Sequence, residues 1–330
     1  MNSIGIDISA KKLDVALLST DGKRKQRKFD NTPKDIGGLI EWIRAKGECR
    51  VTMEATGVYH LDLAFALNKA GIPLMVVNPR QARRFVEAMA RNQQTDASDA
   101  VDLAEFGARM DFVPWKAPSA NAFALHKIGR GISLLTRQHN AFGNRLHAAE
   151  ATEETPREVV SMFHGLLRAL EKERAKLVEK ARALIAADLE ARRRFKLLLT
   201  VKGIAETSAV AILSELIVLP EDLSAKAWVK YAGLDPMSKQ SGSSVNTKPR
   251  ISRRGNARLR AALYMPAMTA ARHDPHLKTF VERLETRGKE GKQPICAVSR
   301  KLLHGIHAMF RTNMPWDSER LVTSYTPQTA

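Results

Sequence analysis

Three short stretches place acids where apolar surroundings make a lone charge unfavourable. Asp7 stands inside the β-prone run Ser3-Ile4-Gly5-Ile6-Asp7-Ile8-Ser9, and Glu54 closes a second one, Val51-Thr52-Met53-Glu54. Desolvation penalises a single carboxylate in either place. Asp96 and Asp99 lie three apart in Thr95-Asp96-Ala97-Ser98-Asp99, at the start of an expected helix, so both side chains share one face. Four carboxylates from two strands and a helix converge only around positive charge. A divalent cation is the simplest candidate, and metal-assisted catalysis is the chemistry it brings.

The elements that must position these acids can be read in order. Residues 3–8 and 13–19 predict two strands, and Asp21-Gly22 turns the chain into a basic third strand from Lys25 to Phe29. Pro33 to Lys46 reads as a helix with Ile36, Leu39, Ile40 and Ile43 on one face. A strand ending at Glu54, a helix from about Val58 to Lys69, a strand from Ile72 to Val77 and a helix entered at Pro79 follow. Three meander strands and then alternating helices and strands describe an α/β ribonuclease-H-like domain, with Asp7 central in its sheet and Glu54 on a neighbouring strand. Thr95 is the expected N-cap of the helix carrying Asp96 and Asp99.

The 330 residues carry 53 Lys and Arg against 35 Asp and Glu, a formal net charge of +18. That excess points to a polyanionic partner. Residues 1–110 hold 17 basic and 14 acidic residues, a net +3, which leaves +15 for the rest. The acids therefore belong to a nearly neutral module, and the remainder supplies the basic surface. Cys49 and Cys296 are the only cysteines and lie far apart, so neither a disulfide framework nor a cysteine zinc site is expected. With no run of membrane-spanning length and no signal-peptide core, the expectation is a soluble, intracellular protein of a reducing cytosol (cytoplasmic) or nucleoid.

Past a Pro-flanked linker from Met110 to Asn121, apolar residues recur at Leu125, Ile128, Ile132, Leu135, Phe142, Leu146 and Ala149, with His139 filling one seam position. This is a heptad pattern. A second helical run uses Phe163, Leu167, Leu170, Leu177 and Leu184. An antiparallel hairpin and a dimerising coiled coil fit equally well. Phe195 to Leu219 reads as helix, turn, helix and resembles a helix-hairpin-helix, with Lys202 and Gly203 offered to a phosphate. Ala205 stands where such turns usually carry a second glycine, and an ordinary helical corner fits nearly as well. From Pro236 to His273 there is no acid, while Lys239, Lys248, Arg250, Arg253, Arg254, Arg258, Arg260 and Arg272 are all present. A face this one-sided reads as a nucleic-acid contact. Inside it lies the hydroxyl-rich loop Gln240-Ser241-Gly242-Ser243-Ser244, which composition alone would make a linker. The pairs His273/His276 and His304/His307 have helical spacing but no accompanying ligands, so zinc is not expected.

Gly5-Ile6-Asp7, Glu54-Ala55-Thr56-Gly57, Thr95-Asp96 with Asp99, Ser241-Gly242-Ser243-Ser244 and Leu259-Arg260-Ala261-Ala262-Leu263-Tyr264-Met265-Pro266 occur in one order. Together they resemble the DEDD transposases of bacterial insertion sequences, the bridge-RNA-guided recombinases. The resemblance spans essentially the whole chain. It implies a RuvC-like domain over residues 1–112, a linker and coiled coil over 113–195 and a mostly helical C-terminal transposase domain over 196–330. It further implies that Asp7, Glu54, Asp96 and Asp99 bind magnesium, two ions by expectation, and that Ser241 attacks a DNA phosphodiester to give a covalent phosphoserine before strand exchange. The implied partners are a structured non-coding guide RNA, target and donor double-stranded DNA, and further copies of the chain, as a homodimer assembling to a tetramer. Gln94, where a basic residue is expected, and Ala205 depart from the pattern.

Two other readings compete. A metal-dependent junction nuclease would use the same acids with water, and Ser241 would be a linker residue. A sugar-kinase-like or actin-like phosphotransferase shares the sheet topology and the Gly5-Ile6-Asp7 start, but it leaves the +18 charge without a purpose and needs a later phosphate loop that the sequence does not show.

Overall fold

Alternation makes the first strand, β1 (Asn2–Ile8), two-faced: Ile4, Ile6 and Ile8 point one way, Ser3, Gly5 and Asp7 the other. A computed structural model describes residues 1–55, 57–89, 95–237, 240–241, 245–246 and 250–323, giving the backbone alone at 97, 240, 241, 245, 246, 322 and 323. The chain divides into two compact units, Met1–Ala117 and Pro118–Ala330.

In the first unit β1 pairs antiparallel with β2 (Lys12–Leu18), and β2 with β3 (Arg24–Asp30). On its other side β1 runs parallel to β4 (Cys49–Glu54), which runs parallel to β5 (Leu74–Val77). The order β3-β2-β1-β4-β5 is the ribonuclease-H-like arrangement expected from the sequence. One face of this sheet carries Ile4, Ile6, Leu13, Val15, Val51 and Met53, all fully buried. They form one core with Ile36, Leu39 and Ile43 of helix α1 (Pro33–Arg44) and Leu63 and Leu67 of α2 (Leu61–Lys69). Removing that apolar surface from water is the main force closing this half of the unit. Helix α3 (Pro79–Ala88), capped by the Asn78 side chain, follows β5.

The opposite face receives helix α4 (Asp96–Arg109). The helix lies so low that a Cβ on Gly5 would stand 2.0 Å from the Ala100 carbonyl oxygen and 2.2 Å from the Ala104 nitrogen. At its far end Gly107 makes the reciprocal contact, where a Cβ would meet Thr52 Oγ1 at 2.1 Å. Ser3 Oγ donates to the Ala104 carbonyl at 2.7 Å, satisfying a buried hydroxyl on the same crossing. Thr95 is the N-cap: Ser98 N–H donates to Thr95 Oγ1 at 3.2 Å and Thr95 N–H to Ser98 Oγ at 2.7 Å, a reciprocal capping box.

The second unit is almost wholly helical. Helices α5 (Ala120–Glu150) and α6 (Arg157–Ala187) fold back on each other: Asn121 Nδ2 donates to the Leu184 carbonyl, and the Phe142 and Phe163 rings lie 6.2 Å apart. These pairings give an antiparallel hairpin within one chain. Its base is not a module apart, since Leu125, Ile132, Ala181 and Ile185 share a core with α7 (Leu189–Leu199), α8 (Glu206–Leu216), α9 (Ala225–Ala232), α10 (Ala257–His273) and α12 (Lys292–Thr312). Helix α11 (Pro275–Thr286) packs on the same group. Among the described residues, no helix is long and apolar enough to cross a membrane.

Candidate active site

Strand register gathers the acids into a row. Lys28 of β3 is opposite Asp14 of β2, and Asp14 is opposite Asp7 of β1. Ile6 is opposite Met53, so the next residues along the parallel pair bring Glu54 beside Asp7 on the face that α4 covers. Glu54 in turn faces Val77. Helix α4 adds Asp99, and one turn on, Asp102. Asp7, Glu54, Asp99 and Asp102 line one cleft of about 270 Å³, whose apolar wall includes Phe85 of α3 and Phe106 of α4. Asp96 is exposed in the first turn of α4 and does not line the cleft, though its charge reaches Asp7 and Asp99.

The electrostatics follow from this crowding. Burial raises the Asp7 carboxyl to about 6, with Asp99 and then Asp96 adding to the effect, the Ile8 backbone hydrogen bond opposing it, and Glu54 contributing least. Burial, then the Asp99 charge, pushes Glu54 up. Asp99 is raised by burial, then by Asp102 and Asp96. Asp14 is ion-paired, with Lys28 Nζ 3.0 Å from its Oδ1. Farther along α4, buried Glu105 is held by Arg24 at 2.8 Å and Arg109 at 3.1 Å.

The cleft donors are all hard oxygens that repel one another, which fits a hard divalent cation in kind. As they stand, no three His, Cys, Asp or Glu side chains among the described residues form a ready-made metal cage. The acids at 7, 54 and 99 were singled out from the sequence. Asp102, Asp14 and Arg83, which also lines the cleft, were not. Asp102 could have been found from its spacing, three beyond Asp99 as Asp99 is three beyond Asp96. Asp14 needed the β1–β2 register.

In the second unit, the residues singled out for nucleic acid meet different fates. Arg250, Arg253, Arg254 and Arg258 are exposed. Arg260 is committed inward: Nη1 donates to the Ala232 carbonyl at 2.7 Å and to that of Gly255 at 3.2 Å. It therefore locks the root of the serine-bearing arm and is not a free surface cation. That root is tight elsewhere. Gly233 has φ +65° and a Cβ there would lie 2.7 Å from the Gly255 nitrogen, while Met237 and Pro236 (β6) pair with Arg250 and Ile251 (β9). Ser241 lies in the two-residue strand β7 (Gln240–Ser241), paired with β8 (Val245–Asn246). Lys239, Lys248, Gln94, Thr56 and the Gly242–Ser244 stretch fall outside the described residues. Lys202 is exposed, and Gly203 has φ +95° with α10 directly behind it, a Cβ there meeting the Pro266 carbonyl oxygen at 2.7 Å. The glycine is thus required by the corner's own packing. Glu206 opens α8 and pairs with Arg182, so an acid occupies the helix start at which a phosphate cradle was expected.

Comparison with known proteins bears on the whole chain. A family model for transposases of the IS110 DEDD type matches residues 4–149, and one described as "Transposase IS116/IS110/IS902 family" matches residues 195–282. A pilin gene-inverting protein of Moraxella lacunata is 30% identical over 329 residues, covering 95% of this chain and 97% of its own. The chain belongs to the IS116/IS110/IS902 transposase family. The transposase is also 29% identical to a pilin gene-inverting protein of Moraxella bovis over 95% of its length, 97% of that relative's. An uncharacterized 43.6 kDa protein of insertion element IS110 from Streptomyces coelicolor is 28% identical over 48% of the transposase and 38% of its own chain. As a member of this family the transposase is an enzyme of the transposase/recombinase class acting on DNA. Two structures of Thermus thermophilus RuvC, one with a Holliday junction substrate, match 34% of the chain at 17% and 19% identity, with TM-scores of 0.27 and 0.26 and 98% and 99% of their own lengths covered. The ribonuclease-H-like assignment rests on strand order and direction, not on that likeness.

Proposed function

We propose that this transposase cuts DNA strands at the cleft of Asp7, Glu54 and Asp99, with Asp96 and Asp102 adding to the negative field. The observation that carries this reading is the joining of Asp7, Glu54 and Asp99, from two strands and a helix, in one cleft. Magnesium is the cofactor these acids would hold, two ions by expectation. When bound, it supplies positive charge against the phosphoryl and departing oxygens and lowers the proton affinity of the attacking hydroxyl. The chain's own contribution is to fix the carboxylates on a strand–helix crossing, keep one wall apolar through Phe85 and Phe106, and hold the acids where a phosphodiester must pass.

Water as nucleophile needs nothing beyond this cleft, and gives a junction nuclease that leaves a nick. Ser241 as nucleophile is what the family resemblance implies, and the residue lies on the short β7–β8 ribbon of the second unit. In that case the serine oxygen bonds to phosphorus, the strand's sugar oxygen leaves with a proton, and the phosphoserine keeps the ester energy for resealing. Strand exchange is then possible without ATP, in keeping with the inverting proteins of Moraxella. The resemblance supplies the remaining parts: a structured guide RNA that reads target and donor DNA by base pairing, a homodimer and tetramer, and a nucleoid setting.

Cleavage and joining assays on the full chain test both halves. Asp7→Asn is expected to lower cleavage by at least ~10³-fold, and wild-type cleavage by that variant would dismiss the cleft. Loss of both cleavage and joining in a folded Ser241→Ala variant selects the serine route, whereas nicking at the normal rate selects water.

A further inference from the structure

We propose that Arg83 is a catalytic residue of the cleft, its guanidinium meeting a non-bridging oxygen of the phosphate that is cut. This rests on the cleft being the cleavage site. Helix α3 carries Arg83 into the same cleft as Asp7, Glu54, Asp99 and Asp102, where it is the sole basic side chain among the described lining residues. Its helix is anchored to the helix that bears Asp99, because Ala82 and Phe85 pack with Leu103 and Phe106, the two rings 5.2 Å apart and edge-on. The backbone that carries Arg83 is therefore kept at a set place relative to the acids, not on a loose segment.

Among the described residues nothing strong detains it there. Its described partner is Glu87, one turn on at 3.1 Å, and the two side chains are 76% and 63% exposed. Exposed pairs of this kind hold weakly, and a basic residue four before an acid is the poorer order on a helix. A phosphodiester can displace Glu87 without breaking any buried bond. The need for such a group is plain from the charge around it: four carboxylates repel an anionic strand, and even with cations bound the phosphoryl oxygens gain charge as the bond breaks. A planar fork of N–H donors meets two phosphate oxygens at once, which a lysine cannot do. Arg84, the next residue, is exposed but does not line the cleft, and so serves as a control for general charge.

The test compares the full chain, together with any nucleic acid that co-purifies with it, with Arg83→Ala, Arg83→Lys, Arg84→Ala and Asp7→Asn. The probe is a duplex spanning the junction between the element's end and flanking DNA. Single-turnover cleavage is measured in magnesium, and duplex affinity by fluorescence anisotropy in EDTA. The expected result is cleavage slowed on the order of 100-fold in Arg83→Ala, with affinity and melting temperature little changed, partial recovery in Arg83→Lys, and no slowing in Arg84→Ala. Arg83→Ala cleaving at the wild-type rate, or Arg84→Ala slowing as far as Arg83→Ala, overturns the assignment. Wild-type cleavage by Asp7→Asn rejects the cleft itself, a separate failure that takes this inference with it.

Discussion

Asp7 shows most directly how function strains this fold. Its carboxyl is raised to about 6 by burial and by Asp99, so in the metal-free protein ionisation is harder than in the unfolded chain. A group whose folded value exceeds its unfolded one near 3.8 binds protons more readily when folded, so stability falls as pH rises between those values. Lowering pH from 7 toward 5 in EDTA should therefore raise the melting temperature of the acidic unit, a trend that Asp7→Asn should flatten. The same variant at pH 7 should melt higher than wild type, on the order of 2 °C, while losing cleavage. Calorimetry reads both effects. Asp7 and Glu54 were legible because a lone acid in an apolar strand breaks an otherwise regular pattern. Arg83 was not, since one arginine among several on an amphipathic helix carries no mark until the cleft beside it is seen.

At the level of elements, the crossing of α4 over β1 decides where the reaction can happen. Gly5 lets the two backbones touch and Gly107 leaves room for the Thr52 and Ser3 side chains, and neither has a backbone angle that demands glycine, so the requirement is purely one of space. Gly5→Ala should cost on the order of 3 kcal/mol, measured by chemical denaturation of the full chain, because the helix must lift and Asp99 with it. The strands and the Thr95 cap could be read locally, from alternation and from a hydroxyl followed by acids. The crossing could not, because it joins residues about a hundred positions apart. The same limit applied to Asp14, whose place beside Asp7 depends on β1–β2 register. The heptads of α5 and α6 fixed a packing stripe but not its partner, and within this chain that partner is the other arm of the hairpin.

For the whole molecule, the division of charge is the feature that composition revealed best and single positions revealed least. The basic excess beyond residue 110 was plain, yet Arg260 turned out to serve the arm root, while Arg253, Arg254 and Arg258 stay exposed. Replacing those three together with alanine should lower the slope of log affinity against log salt by about three, one for each phosphate no longer neutralised. Arg260→Ala should leave that slope alone and lower the melting temperature. Anisotropy titrations across a salt series separate the two outcomes. A last consequence follows from seating α4 on bare main chain. At Gly5 the spacing of the acids is set by peptide groups in mutual contact, whereas the larger oily core of the sheet lies on its reverse side. Volume-conserving exchanges at Ile4, Val15 or Met53 should therefore leave the ruler that measures out the reaction centre at its length.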